Sequence, residues 1–113
     1  MKARILVVDD DVAMCELLVD TLSADGHRAE SFTAMAPALA RLDEVDVDVI
    51  ISDVQLGEES GLVLCQRVAE RRPELPVVVI TAFGSMDTAI AAIRAGAYDV
   101  INKPIDPGAL SLV

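Results

Sequence analysis

Three uninterrupted apolar runs, rich in β-branched residues, constrain this chain more than any other feature: Ile5-Leu6-Val7-Val8, Val49-Ile50-Ile51 within Val47 to Ser52, and Val77-Val78-Val79-Ile80. Successive side chains of a strand point to opposite faces, so a strand that is apolar at every position is buried on both. Each run is followed by a segment of helical period. Val12, Cys15, Val19 and Leu22 recur at that spacing, and Asp25-Gly26 closes the helix. A second helix carries Leu64, Cys65 and Val68 inward and stops before Arg72-Pro73, because a residue ahead of proline is pushed out of helical geometry. Met86, Ile90 and Ile93 mark a third, ended by Gly96. Two weaker strands, Arg28 to Phe32 at an edge and Tyr98 to Asn102, complete the alternation. Between the first of them and the next apolar run, Thr33 caps a short helix through Leu42, with Pro37 in its early turns. Asp106-Pro107 starts a last helix, an N-cap followed by proline. Five strand–helix units of this kind predict an α/β fold, a parallel sheet covered by helices on both faces with right-handed crossovers.

The length, 113 residues, suits one domain. The sequence stops at Val113, a turn or two into the fifth helix, so residues 1–113 are expected to be a fragment of something longer, with that helix truncated. The apolar runs are strand-sized, too short for a membrane span. The start, Met1-Lys2-Ala3-Arg4 and then a short apolar run ending in Asp9, does not read as a secretory signal. A cytoplasmic location with no membrane partner is therefore expected. The net charge of −10 argues against direct nucleic-acid binding and suits a cation or a basic partner surface. Cys15 and Cys65 form no CxxC pair and His27 is the one histidine, so the cysteines read as free core thiols rather than zinc ligands.

Parallel sheets of this kind bind ligands outside the carboxyl ends of their strands. The residues there are Asp9-Asp10-Asp11 after the first strand, Asp53 after the third, Thr81-Ala82 after the fourth and Lys103-Pro104 after the fifth. Every central strand thus delivers a polar group to one rim. Singly, each has an ordinary reading: Asp11 as a helix cap, Asp53 as a turn former, Thr81 and Lys103 as solvated strand ends. Together, three crowded carboxylates repel by on the order of 3 kcal/mol per pair at about 5 Å and an effective dielectric near 20. A hard divalent cation with oxygen ligands offsets that. Beside such a cation Asp53 becomes a candidate nucleophile that forms an acyl phosphate. Lys103, one of only two lysines in the chain, supplies positive charge for phosphoryl oxygens, and Thr81 a hydroxyl. Ala82 leaves space beside Thr81, and a cis bond at Pro104 would aim the Lys103 ammonium inward.

The set resembles the receiver domain of two-component response regulators over nearly the whole chain, with Asp10 to Asp53, Asp53 to Thr81 and Thr81 to Lys103 separated by 43, 28 and 22 residues. The resemblance implies a doubly wound, flavodoxin-like sheet of order 2-1-3-4-5. It implies Asp53 as phosphoacceptor and Mg²⁺, with Mn²⁺ as an alternative, held by Asp10, Asp53 and the Gln55 backbone carbonyl, and by Asp9 through water. It implies Thr81, Ala82 and Lys103 around the phosphoryl group. The donor would be a phosphohistidine on a sensor histidine kinase or phosphotransfer protein, and homodimers would form through the fourth helix, fifth strand and fifth helix. Gly96-Ala97-Tyr98-Asp99 and Lys103-Pro104-Ile105-Asp106 look most like receivers of enhancer-binding transcription activators.

Three positions depart from the family pattern. Gly57 stands where proline is usual, four residues after Asp53, and predicts a loose loop from Gln55 to Gly61. Val100 stands where an aromatic residue often rotates on activation, and Phe83 follows Ala82. Tyr98 is expected to pack at or cap the strand edge instead. Output is then expected through the segment after Thr81 and the helix from Met86 to Ala95, with Val100 contributing by packing alone. Three other readings are weaker. A haloacid-dehalogenase-like phosphatase wants Asp-x-Asp-x-Thr or Val, and here the motif ends in Ala13. A flavin carrier needs a phosphate loop that Asp9-Asp10-Asp11 would repel. A docking module that is never phosphorylated would not need the intact set of Asp9, Asp10, Asp53, Thr81 and Lys103.

Overall fold

The apolar runs form the strands they predict. A computed structural model describes residues 3–81 and 86–102. In chain order the elements are β1 (Arg4–Val8), α1 (Val12–Ala24), β2 (Arg28–Phe32), α2 (Met35–Glu44), β3 (Val49–Asp53), β4 (Gln55–Leu56), β5 (Glu59–Ser60), α3 (Gly61–Arg71), β6 (Val77–Thr81), α4 (Met86–Arg94) and β7 (Asp99–Asn102). Five strands make one parallel sheet in the order β2-β1-β3-β6-β7. Counting those five alone, this is the expected order 2-1-3-4-5. The expected fifth helix, and Phe83 with Gly84-Ser85, lie outside the described residues.

Alternation along the strands divides the core in two. Leu6, Val8, Ile50, Val77 and Val79 face Leu42 of α2, Leu64, Cys65 and Val68 of α3, and Ala92 of α4. Ile5, Val7, Ile51, Val78 and Ile80 face Leu18 and Leu22 of α1. Every residue of β6 is buried, as a central strand requires, whereas β2 at the edge is half-exposed. Glu30 of β2 is held to α2 by a two-pronged ion pair with Arg41 at 3.0 Å.

Several expectations need correction. Helix α2 begins after Ala34, which makes no side-chain cap, and Thr33 lies outside it. The reason is Pro37: a helix capped at Thr33 would take its first intrahelical bond from the residue 37 N–H, which proline lacks. On α1 the buried row is Cys15, Leu18 and Leu22, while Val12 sits exposed in the first turn. On α4 Ala92 is buried against the core, while Ile90 and Ile93 are 43% and 52% exposed. Tyr98 precedes β7 and is 75% exposed, and its backbone N–H donates to the Val77 carbonyl. Val100 does pack on the core. The run from Gln55 to Ser60 is a tight antiparallel hairpin rather than a loose loop, with Gln55 opposite Ser60 and Leu56 opposite Glu59. Its turn has positive φ at Gly57 (65°) and at no non-glycine residue, the pattern of a type II′ hairpin.

Both cysteines are free and buried, as expected. Burial pushes the Cys65 thiol from 9.0 up to about 11. The folded state therefore holds this proton more tightly than the unfolded chain does, and the associated stability is complete below pH 9.0 and lost as pH rises toward about 11. Thermal melts across that window should show a falling melting temperature, and Cys65→Ala should flatten the slope while lowering the whole curve. An unchanged slope in the variant would assign the alkaline loss to other groups.

Candidate phosphoacceptor and cation site

Strand register brings the acids together. Val8 pairs with Ser52, and Asp53 pairs with Ile80, so β1, β3 and β6 end level at one edge of the sheet. Asp9 and Asp10 follow β1 directly, Asp53 ends β3, and Thr81 ends β6. Carboxylate oxygens of Asp9, Asp10 and Asp53 all lie within 4.8 Å of one another. Asp9 and Asp53 are buried, and Asp10 is exposed. Thr81 is buried beside them in the sheet, opposite Asn102 of β7. Ala82, Lys103 and Pro104, the other expected members of the set, lie outside the described residues.

Each acid of the cluster is steadied by a backbone amide. The Asp11 N–H donates to Asp9 Oδ1 at 2.9 Å, the Gln55 N–H to Asp53 Oδ1 at 3.0 Å, and the Gly57 N–H to Asp10 Oδ2 at 3.1 Å. Such charge-assisted bonds offset part of the mutual repulsion. Asp11 stands apart and caps α1, accepting from the amides of Ala13 and Met14. The donor set is entirely carboxylate oxygen, the chemistry that a hard cation such as Mg²⁺ prefers and that zinc or copper does not need.

Three further residues position the site without any motif that marks them. The buried Ser52 hydroxyl donates to the Asp53 carbonyl at 2.9 Å. Gly61, the first residue of α3, lies so close to Asp53 that a methyl group there would run into the Asp53 carbonyl oxygen and the Val54 backbone. Its N–H donates to the Val54 carbonyl at 2.8 Å. On β1's side, the Cys15 thiol donates to the Asp9 carbonyl at 3.2 Å. Burial first, and then the Asp9 charge, raise the pKa of that thiol, so it stays protonated as a donor. Ser60 caps α3, its side chain accepting from the Leu62 N–H. Nothing in the pattern disclosed the backbone approach to Asp53.

A doubly wound sheet with acids collected at the ends of its first and third strands defines a receiver. Residues 5–112 match the family described as the response regulator receiver domain. The chain belongs to that family. It is 39% identical over 109 residues to the response regulator protein PilR of Pseudomonas aeruginosa, covering 96% of this chain and 24% of that protein. It is 36% identical over 105 residues to the transcriptional regulatory protein ZraR of Salmonella typhimurium, covering 93% of this chain and 24% of the relative. The chain thus spans about a quarter of the length of these curated relatives. Among solved structures, NtrX from Brucella abortus superposes with a TM-score of 0.90 at 38% identity, over 97% of this chain and 26% of that one. The beryllofluoride-activated NtrC4 receiver domain dimer gives 0.88 at 32% identity, over 94% of this chain and 88% of that one. Among the described residues no helix is long and apolar enough to cross a membrane.

Two outcomes follow from this geometry. Gly61→Ala should destabilise the fold by about 1–3 kcal/mol, because the displaced atoms are backbone and cannot rotate away; chemical denaturation measures this, and an unchanged midpoint would remove the close approach from the account. Asp10→Asn removes one charge but keeps an acceptor for the Gly57 amide, so in chelator its melting temperature should rise by a few degrees. An equal or lower value would count against the crowded-acid picture.

Proposed function

We propose that Asp53 is the phosphoacceptor of a Mg²⁺-dependent signalling switch. The observation that carries this reading is the convergence of the Asp9, Asp10 and Asp53 carboxylates within 4.8 Å at the strand ends. An Asp53 carboxylate oxygen attacks the phosphorus of a phosphohistidine, the P–N bond breaks, and the imidazole leaves with the electron pair and takes up a proton. The product is an aspartyl phosphate. Asp10, Asp53 and the Gln55 carbonyl would hold the cation, and Asp9 would act through water; Mg²⁺ there would supply positive charge against the phosphoryl oxygens. The Thr81 hydroxyl donates to a phosphoryl oxygen, the Lys103 ammonium pairs with another, Ala82 leaves room for the group, and Pro104 sets the course of the chain after Lys103. Attack by water on phosphorus breaks the P–O bond to Asp53, releases inorganic phosphate and returns Asp53 to its carboxylate. The domain is thus a phosphoacceptor that catalyses its own phosphorylation and dephosphorylation, rather than an enzyme turning over a separate substrate.

The partner is a sensor histidine kinase or a phosphotransfer protein in the cytoplasm. Residues 1–113 are the receiver portion of a longer transcriptional regulator of the enhancer-binding kind, a reading supported by relatives about four times as long. Phosphorylation shifts the population between two packings of the face formed by α4, β7 and the segment after them. The dimeric state of the NtrC4 receiver supports homodimerisation, and exposed Ile90 and Ile93 on α4 support this face as its site.

Incubation with Mg²⁺ and acetyl phosphate should add one phosphoryl group by intact mass, lost in chelator and in Asp53→Ala. Continuous phosphate release at many turnovers per chain would favour a phosphatase instead. A mass gain that persists in Asp53→Ala would refute the assignment.

A further inference from the structure

We propose that the Gly57 backbone N–H is a positioning group for the cation site, orienting the Asp10 carboxylate and coupling the β4–β5 hairpin to cation binding. This rests on the reading of Asp9, Asp10 and Asp53 as the Mg²⁺ ligands. The bond from Gly57 to Asp10 Oδ2, 3.1 Å, joins groups 47 residues apart. The hairpin therefore touches two acids at once, Asp53 through the Gln55 amide and Asp10 through the turn. It is itself anchored by buried Leu56 and by Gly61 against the Asp53 backbone. The bond to Oδ2 fixes the orientation of the Asp10 carboxylate whose oxygens would face the cation. Proline, usual at this position in the receivers the chain resembles, has no N–H and a φ near −65°, so it offers neither the donor nor this turn. Gly57 supplies both, with φ at 65°. Coupling is reciprocal: if the bond favours cation binding, the cation must strengthen the bond.

Amide hydrogen exchange and Mg²⁺ titration by NMR on the 113-residue chain test this. In chelator, Asp10→Ala should speed exchange at Gly57 about tenfold while sparing Gln55, whose acceptor is Asp53. In wild type, Mg²⁺ should slow exchange at Gly57. Gly57→Asn keeps the N–H and tolerates positive φ, so its Mg²⁺ affinity should stay within about twofold of wild type. Gly57→Pro should bind Mg²⁺ roughly tenfold more weakly. Exchange at Gly57 that ignores Asp10→Ala, or Gly57→Pro binding Mg²⁺ as wild type does, would overturn the proposal. A wild-type chain with no affinity for Mg²⁺, yet with Gly57 responding to Asp10→Ala, would instead overturn the cation reading and the coupling built on it.

Discussion

Mutual repulsion among Asp9, Asp10 and Asp53 is the constraint on which the functional edge of this molecule depends. Carboxylates this close would separate if they were on mobile segments. They cannot, because two of them are buried and all lie at or just beyond the ends of strands locked into one sheet. The apolar free energy of the core thus holds an electrostatically unfavourable arrangement in place. Local amides relieve part of the repulsion, and a bound cation would relieve more. The same feature that makes the metal-free edge unfavourable makes it receptive to positive charge.

The scaffold meets this demand with two half-cores, one on each face of the sheet. Since alternate residues of β1, β3 and β6 belong to different halves, no strand can slip by one residue without exchanging its partners on both faces. Register is therefore strongly specified, and with it the level strand ends that bring the acids together. Finer placement comes from groups packed around Asp53 itself: the Ser52 hydroxyl, the Gln55 amide and the bare Gly61 backbone. A small error in this shell would displace the nucleophile without disturbing the fold.

Strand positions and topology class were legible because they depend on long, redundant apolar patterns. The acid cluster was legible because four separated motifs fall at equivalent strand ends, and the structure brings Asp9, Asp10 and Asp53 together as that reading expects. What escaped depends on single atoms. The start of α2 turns on the N–H that Pro37 lacks. The hairpin at Gly57 depends on one positive φ, which a polar, glycine-containing stretch does not distinguish from a loose loop. Helical spacing alone does not tell which apolar side chains turn inward: Leu18 is buried on α1 while Val12 is exposed, and Ala92 is buried on α4 while Ile90 and Ile93 are largely exposed. Tertiary proximity, not residue polarity, decides which methyl groups face the core.

That last inversion bears on how the molecule responds to load. Helices α2 and α3 are anchored by leucines set deep in the interior, whereas the seat of α4 on the core is formed by the methyl group of Ala92 with Ala95 partly covered beside it. Among the described residues, then, α4 is seated on the core by small side chains where its neighbours use large ones, and fewer atoms in dispersion contact make a shallower energy well.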